Sequence, residues 1–221
     1  SRPFDMPAFE AGRVDVQRLD VEYLDQEGHT RLSVRNGSLH LTGSGPRRLE
    51  GPFAVEAVSF ENQSAAIRSG GIAGVAVADG NTLALRPATA AAGGNTWQFD
   101  GEVAFTGPES GYRLNARGTA SLALAHEWFP DFPAGVGEVH IRTALTGRLA
   151  EPHAELHVDT EGLVWPGFAL PASEADAVLT PDGIEIGRLV AGAAGARITS
   201  SGRLSFDRNG VSRARLDWSG V

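Results

Sequence analysis

Alternation with a period of two residues is the feature that most restricts what this chain can become. Val139, Ile141, Thr143 and Leu145 alternate with Glu138, His140, Arg142 and Ala144. Leu204 and Phe206 alternate with Arg203, Ser205 and Asp207, and Leu216 and Trp218 with Arg215, Asp217 and Ser219. Successive side chains of a strand point to opposite faces, so such runs predict strands with one apolar and one wet face. Sustained helical periodicity is missing. The best helical stretch, Ala120 to Phe129, runs into Pro130 and Pro133, which limits it to one or two turns. With 28 Gly and 12 Pro among 221 residues, the chain is punctuated as an all-β protein is. The expectation is on the order of fifteen strands.

Near the start, Val14 and Val16 share one phase while Leu19, Val21 and Tyr23 take the other, which predicts a bulge around Gln17-Arg18. Asn36-Gly37 between Leu32/Val34 and Leu39/Leu41 predicts a two-residue hairpin turn, with a bulge in one continuous strand as the alternative. Asp182-Gly183 is a similar turn signal before Ile184 and Ile186.

A weak internal repeat lies over this pattern. Residues 81–107 align with 182–208 without gaps at an offset of 101. Leu83 and Leu85 fall on Ile184 and Ile186, Trp97 on Ile198, and Gly101 on Gly202. Val103 falls on Leu204, and Phe105 on Phe206. Repetition of this kind favours a stacked, quasi-one-dimensional sheet. The expected fold is therefore all-β, an elongated, curled antiparallel or mixed sheet with an open apolar groove. Residues 1–221 would be a single fragment of a longer protein.

Charge and composition narrow the function. The net charge of −8 argues against nucleic acid, whose binding draws on clustered positive charge. All 19 basic residues are Arg, and there is no Cys, which removes disulfides, thiolate metal sites and thiol catalysis. No apolar run reaches the roughly 18 residues of a membrane span. No nucleophile elbow, P-loop or dinucleotide fingerprint is present, so no enzyme and no cofactor is expected.

The nearest thing to a chemical site is Glu151-Pro-His153-Ala-Glu155-Leu-His157-Val-Asp159. On a strand, its polar side chains share one face. His153/Glu155 or Glu155/His157 could each supply two metal ligands, with a third needed from elsewhere. Ala154, Leu156 and Val158 fill the other face, so the simpler reading is the wet side of a half-buried strand, with no metal assigned. Two aromatic groups, Trp128/Phe129/Phe132 and Trp165/Phe168, are expected to plug the sheet where strands are interrupted, or else to form a lip that touches lipid.

The segment 131–206 resembles the TamB family of envelope bridge proteins, within the AsmA-like group. The resemblance is carried by Gly137-Glu-Val-His-Ile-Arg-Thr-Ala-Leu-Thr-Gly-Arg-Leu-Ala-Glu-Pro152, then Ala154 to Val158, Gly162-Leu-Val-Trp165, Leu170 and Val178. Asp182-Gly-Ile-Glu-Ile186 and Ile198-Thr-Ser-Ser-Gly-Arg-Leu-Ser-Phe206 complete it. It implies a piece of a periplasm-spanning protein, anchored in the inner membrane, that carries phospholipid along an apolar groove towards the outer membrane. The fragment itself would be soluble.

The acyl chains would lie along Leu83, Leu85, Trp97, Phe99, Val103, Phe105, Val139, Ile141 and Leu145, and along Leu156, Val158, Ile184, Ile186, Ile198, Leu204 and Phe206. Two alternatives stay open. One is a scaffold that offers a sheet edge to an outer-membrane barrel protein by β-augmentation. The other is a packed β-sandwich that binds carbohydrate or serves structure.

Overall fold

The computed structural model describes residues 12–25, 30–45, 47–62, 66–105, 110–148, 151–180, 182–193, 196–207 and 210–220. The ends of the two repeat segments at Gly107 and Arg208, and the side chains of Glu151, Phe206, Leu216 and Trp218, lie outside what is described.

The chain forms β1 (Arg13–Asp25), β2 (Thr30–Gly45), β3 (Arg48–Val55), β4 (Ala57–Glu61), β5 (Ala66–Ser69), β6 (Ile72–Asp79), β7 (Thr82–Ala92) and β8 (Asn95–Ala104). It continues through β9 (Gly111–Ser121), α1 (Leu122–Trp128), β10 (Glu138–Arg148), β11 (Glu151–Trp165), β12 (Phe168–Thr180), β13 (Gly183–Ala193), β14 (Ala196–Asp207) and β15 (Gly210–Gly220). All fifteen strands belong to one sheet, and every described pairing is antiparallel. The sheet is open: among the described residues β1 bonds only to β2, and β15 only to β14.

The topology is simpler than the strand count suggests. β3 and β4 lie end to end along the same edge of β2, and β5 and β6 lie end to end along β4 and β3. Each pair acts as one strand interrupted near its middle, so the sheet is a meander in which neighbours in space are neighbours in sequence. The strands are long, up to 16 residues, because two-residue turns such as Gly93-Gly94 leave little chain outside them.

The interruptions line up. β1 slips register between Val16 and Leu19, with Arg18 at φ +57. β2 takes up the slip at Asn36, at φ +50. β3 breaks into β4 at Glu56, and β5 into β6 at Gly70-Gly71. Each extra residue restores the apolar phase beyond it. Val14 and Val16 before the crease share a face with Leu19, Val21 and Tyr23 after it.

The Asn36-Gly37 hairpin is therefore not formed, and the alternative reading of that pair holds. Leu32 pairs with Tyr23 and Phe60, and Leu41 with Val14. A turn there would have lost both neighbours of β2. Instead Asn36, tolerant of positive φ, donates its backbone N–H to Asp20 Oδ1 (2.8 Å) and its Nδ2 to Glu56 Oε2 (2.8 Å).

The two repeat segments form the β7–β8 and β13–β14 hairpins, and their registers coincide at the same offset. Leu83 pairs with Val103 and Leu85 with Gly101, as Ile184 pairs with Leu204 and Ile186 with Gly202. Both hairpins then slip at one place, before Ala88 and before Leu189, and close as Ala92↔Asn95 and Ala193↔Ala196.

The interior is thinly filled. Leu41, Leu49 and Ala76 make a small buried cluster with Val14, Leu39, Phe53 and Leu83 around it. Among the described residues no large side chain falls below 2 % exposure. The accessible surface is 14625 Å², where a compact monomer of this mass would present about 9,700 Å². No described helix is long and apolar enough to cross a membrane.

Candidate functional site

Directly paired residues of an antiparallel sheet project to the same face, so register assembles the apolar residues into rows that run across the strands. One row reads Leu85, Gly101, Leu114, Leu145, Ala154, Leu179, Ile184 and Leu204. The next reads Ala88, Phe99, Ala116, Thr143, Leu156, Ala177, Ile186 and Gly202. In the third, Ala90 pairs with Trp97, and Gly118, Ile141, Val158, Ala175, Leu189 and Ser200 follow in order. Leu83 pairs with Val103 at one margin. Val139, opposite Ala120, and Ile198, opposite Ala191, lie at the other.

Each row crosses eight strands. At a strand spacing of about 4.8 Å that is about 34 Å, roughly twice the length of one acyl chain in a bilayer leaflet. Ile141, Leu145, Leu156, Val158, Ile184 and Ile186 are all half-buried. Large and small side chains alternate along the middle row, so it is corrugated rather than filled. Phe105 lies one residue past β8, exposed, with its N–H on Asn81 O (3.0 Å). Three buried polar atoms on this face have no hydrogen-bond partner: Trp97 Nε1, Thr143 Oγ1 and Ser200 Oγ.

The two aromatic groups come together at one end of the strands. Phe132 meets Trp165 edge-on at 6.4 Å, and Phe168 stacks on Trp165 at 5.8 Å. Val136 and Val164 exchange both backbone hydrogen bonds at 2.8 Å, which ties the β9–β10 connection to the long β11–β12 hairpin. α1, capped by Ser121 Oγ accepting from Leu124 N–H (3.1 Å), buries Leu122 and Leu124 and reaches β5. Leu124 packs on Gly93 in the β7–β8 turn, and Leu122 on Gly135. The outer rim of this tip is apolar and open to solvent, with Val136 75 % and Phe168 59 % exposed.

The opposite face is laced with polar pairs. Arg117 Nε donates to Gln98 Oε1 (2.8 Å), Asn115 Nδ2 donates to Asp100 Oδ2 (3.0 Å), and His157 Nδ1 lies 2.7 Å from Asp176 Oδ1. A cavity of about 770 Å³ belongs to this side. Its walls are polar-phase residues such as Gln98, Asn115, Arg117, Arg142, His157 and Asp176. Phe99, Ala116, Thr143, Leu156 and Ala177, between them along the strands, also line it. Apolar-phase residues two positions along, among them Ile141, Leu145 and Val158, do not line it. Pro87 and Gly187, each in a bulge that puts two successive residues on the polar side, mark its ends. No spacing rule exposes such a cleft, because it depends on bulges in different strands falling into line.

The metal candidates of β11 separate. His153 Nε2 is 3.8 Å from Glu155, whereas His157 turns to β12 and groups with Glu174 and Asp176. Among the described residues those three form a set whose ligand atoms all lie within 4.8 Å of one another. No family model, curated protein or solved structure matches this chain.

Proposed function

We propose that this chain is a segment of a lipid-conducting sheet in a bacterial envelope, with phospholipid acyl chains running along the apolar rows. The observation that carries the proposal is a mainly apolar face that crosses eight strands, on which Ile141, Leu145, Leu156, Val158, Ile184 and Ile186 stay only half-buried. A guest chain needs a dry track that its host's own side chains have not closed. Each methylene buried there is worth about 0.8 kcal/mol, so a short occupied length already binds. Affinity without polar specificity suits a surface on which lipid moves on. The TamB-like order of strands and junctions supports a place in a periplasm-spanning bridge, anchored at the inner membrane.

A second reading is favoured by one edge. Among the described residues β1 pairs with β2 alone, and it exposes Leu19, Val21 and Tyr23. A strand of a partner, such as an outer-membrane barrel protein, would add there by backbone pairing.

Native mass spectrometry with lipid extraction, on protein purified without detergent, tests the first reading. Phospholipid should co-purify and be lost in Leu156→Arg and Ile186→Arg variants with unchanged circular dichroism. The polar-phase control Glu155→Arg should retain it. A lipid-free, stable monomer would end the proposal.

A further inference from the structure

We propose that the polar face carries a binding site for one divalent cation of the zinc class, formed by His157 of β11 with Glu174 and Asp176 of β12. The site is independent of the lipid reading, because it lies on the other side of the sheet.

Register builds it. His157 stands directly opposite Asp176, and Asp159 opposite Glu174, so two paired strands present one imidazole and three carboxylates at the corners of a small quadrilateral. Ligand atoms of His157, Glu174 and Asp176 already lie within 4.8 Å of one another. Bonds of about 2.0–2.1 Å in a tetrahedral zinc site put ligand atoms about 3.4 Å apart. Asp159 Oδ2, 3.8 Å from His157 Nε2, stands beside the group as a further oxygen donor.

Two features set this cluster apart from an ordinary charged patch. His157, 27 % exposed, is the most shielded side chain in any described ion pair, and it also borders the 770 Å³ cavity, which gives an ion a way in. The surrounding cations engage the carboxylates only at the limit of contact. Arg188 is 3.9 Å from Glu174 and Arg142 is 4.0 Å from Asp159, so neither of these acids beside the imidazole has a tight arginine counter-ion. His140, opposite Asp159, is held by Thr119 Oγ1 at 3.0 Å. An imidazole with few carboxylates selects zinc-like ions, whereas calcium asks for six or more oxygens.

Isothermal titration of the untagged protein with zinc chloride tests the proposal, with the visible spectrum of the cobalt(II) form reporting coordination. One ion per chain is expected. His157→Ala, Asp176→Asn and Glu174→Gln should each weaken binding about tenfold or more. His153→Ala, on the same face of the same strand, should leave it unchanged. Three variants keep the test open if one fails to fold by circular dichroism. Absence of saturable binding would overturn the site, as would binding that survives His157→Ala or falls equally in His153→Ala.

Discussion

The Trp97 ring on β8 fills the space beside Gly118 on β9, where a Cβ would lie 2.4 Å from the indole. Glycine at 118 thus makes room for a bulky indole on the apolar face. Gly118→Ala should cost about 1–3 kcal/mol by overpacking, read from urea denaturation. In a Trp97→Ala background the same change should cost almost nothing, since the clash is gone. Additive effects would show that the ring and the glycine are not coupled.

A second glycine is held by the backbone itself. Gly101 sits at φ +153, and a Cβ there would lie 2.2 Å from Arg113 O. Gly101→Ala should lose about 1–3 kcal/mol through strain alone. Gly192, in the corresponding hairpin, has open space around it. Gly192→Ala should be neutral or stabilising by up to about 1 kcal/mol. Equal losses at the two positions would contradict this assignment.

The short helix depends on one cap. Ser121→Ala removes the acceptor of the Leu124 N–H and should cost about 0.5–2 kcal/mol. The loss should be local, so hydrogen exchange should quicken at Leu124 while β13 and β14 stay protected. Uniform acceleration across the sheet would instead make the helix part of the global fold.

Between the edge strand β1 and β2, His40 Nδ1 lies 2.7 Å from Asp15 Oδ1, and Arg13 pairs with the same carboxylate. The bond to His40 first, and Arg13 next, hold the Asp15 carboxyl below its ordinary range. A depressed folded-state value means that this contribution is present above the unfolded-state value and fades as pH falls through the folded one. Carboxyl-detected NMR should place the Asp15 midpoint below the usual carboxylate range, and His40→Ala should move it back up. A midpoint indifferent to His40 would discard the pairing.

Phase was readable in the sequence because burial on one side imposes it residue by residue: Val139 to Leu145 and Leu204 are strands as their alternation requires. The bulge at Gln17-Arg18 was readable for the same reason, as a break in that phase. Asn36-Gly37 misleads, because the dipeptide suits a turn and a bulge equally, and only the strands on both sides of β2 decide between them. Cross-strand partners were out of reach altogether. His157 meets Asp176 through the register of β11 on β12, a distance of 19 residues along the chain that no local spacing encodes. The aromatic tip was half visible: Trp165 and Phe132 each stand out beside prolines, but their meeting depends on the Val136–Val164 bridge.

The meander has a consequence for length. With β3/β4 and β5/β6 each counted as one interrupted strand, every described strand bonds only to its predecessor and successor, so no assembly step requires distant parts of the chain to find one another, and strands can be laid down in the order in which they leave the ribosome. A hairpin can likewise be inserted or removed as a unit without disturbing the cross-section of its neighbours. The coincidence of β7–β8 with β13–β14, down to the placement of the slip, is what growth by such units would leave behind. The molecule then behaves as a ruler: its span is set by how many hairpins are strung together, while its width is set once, by strand length.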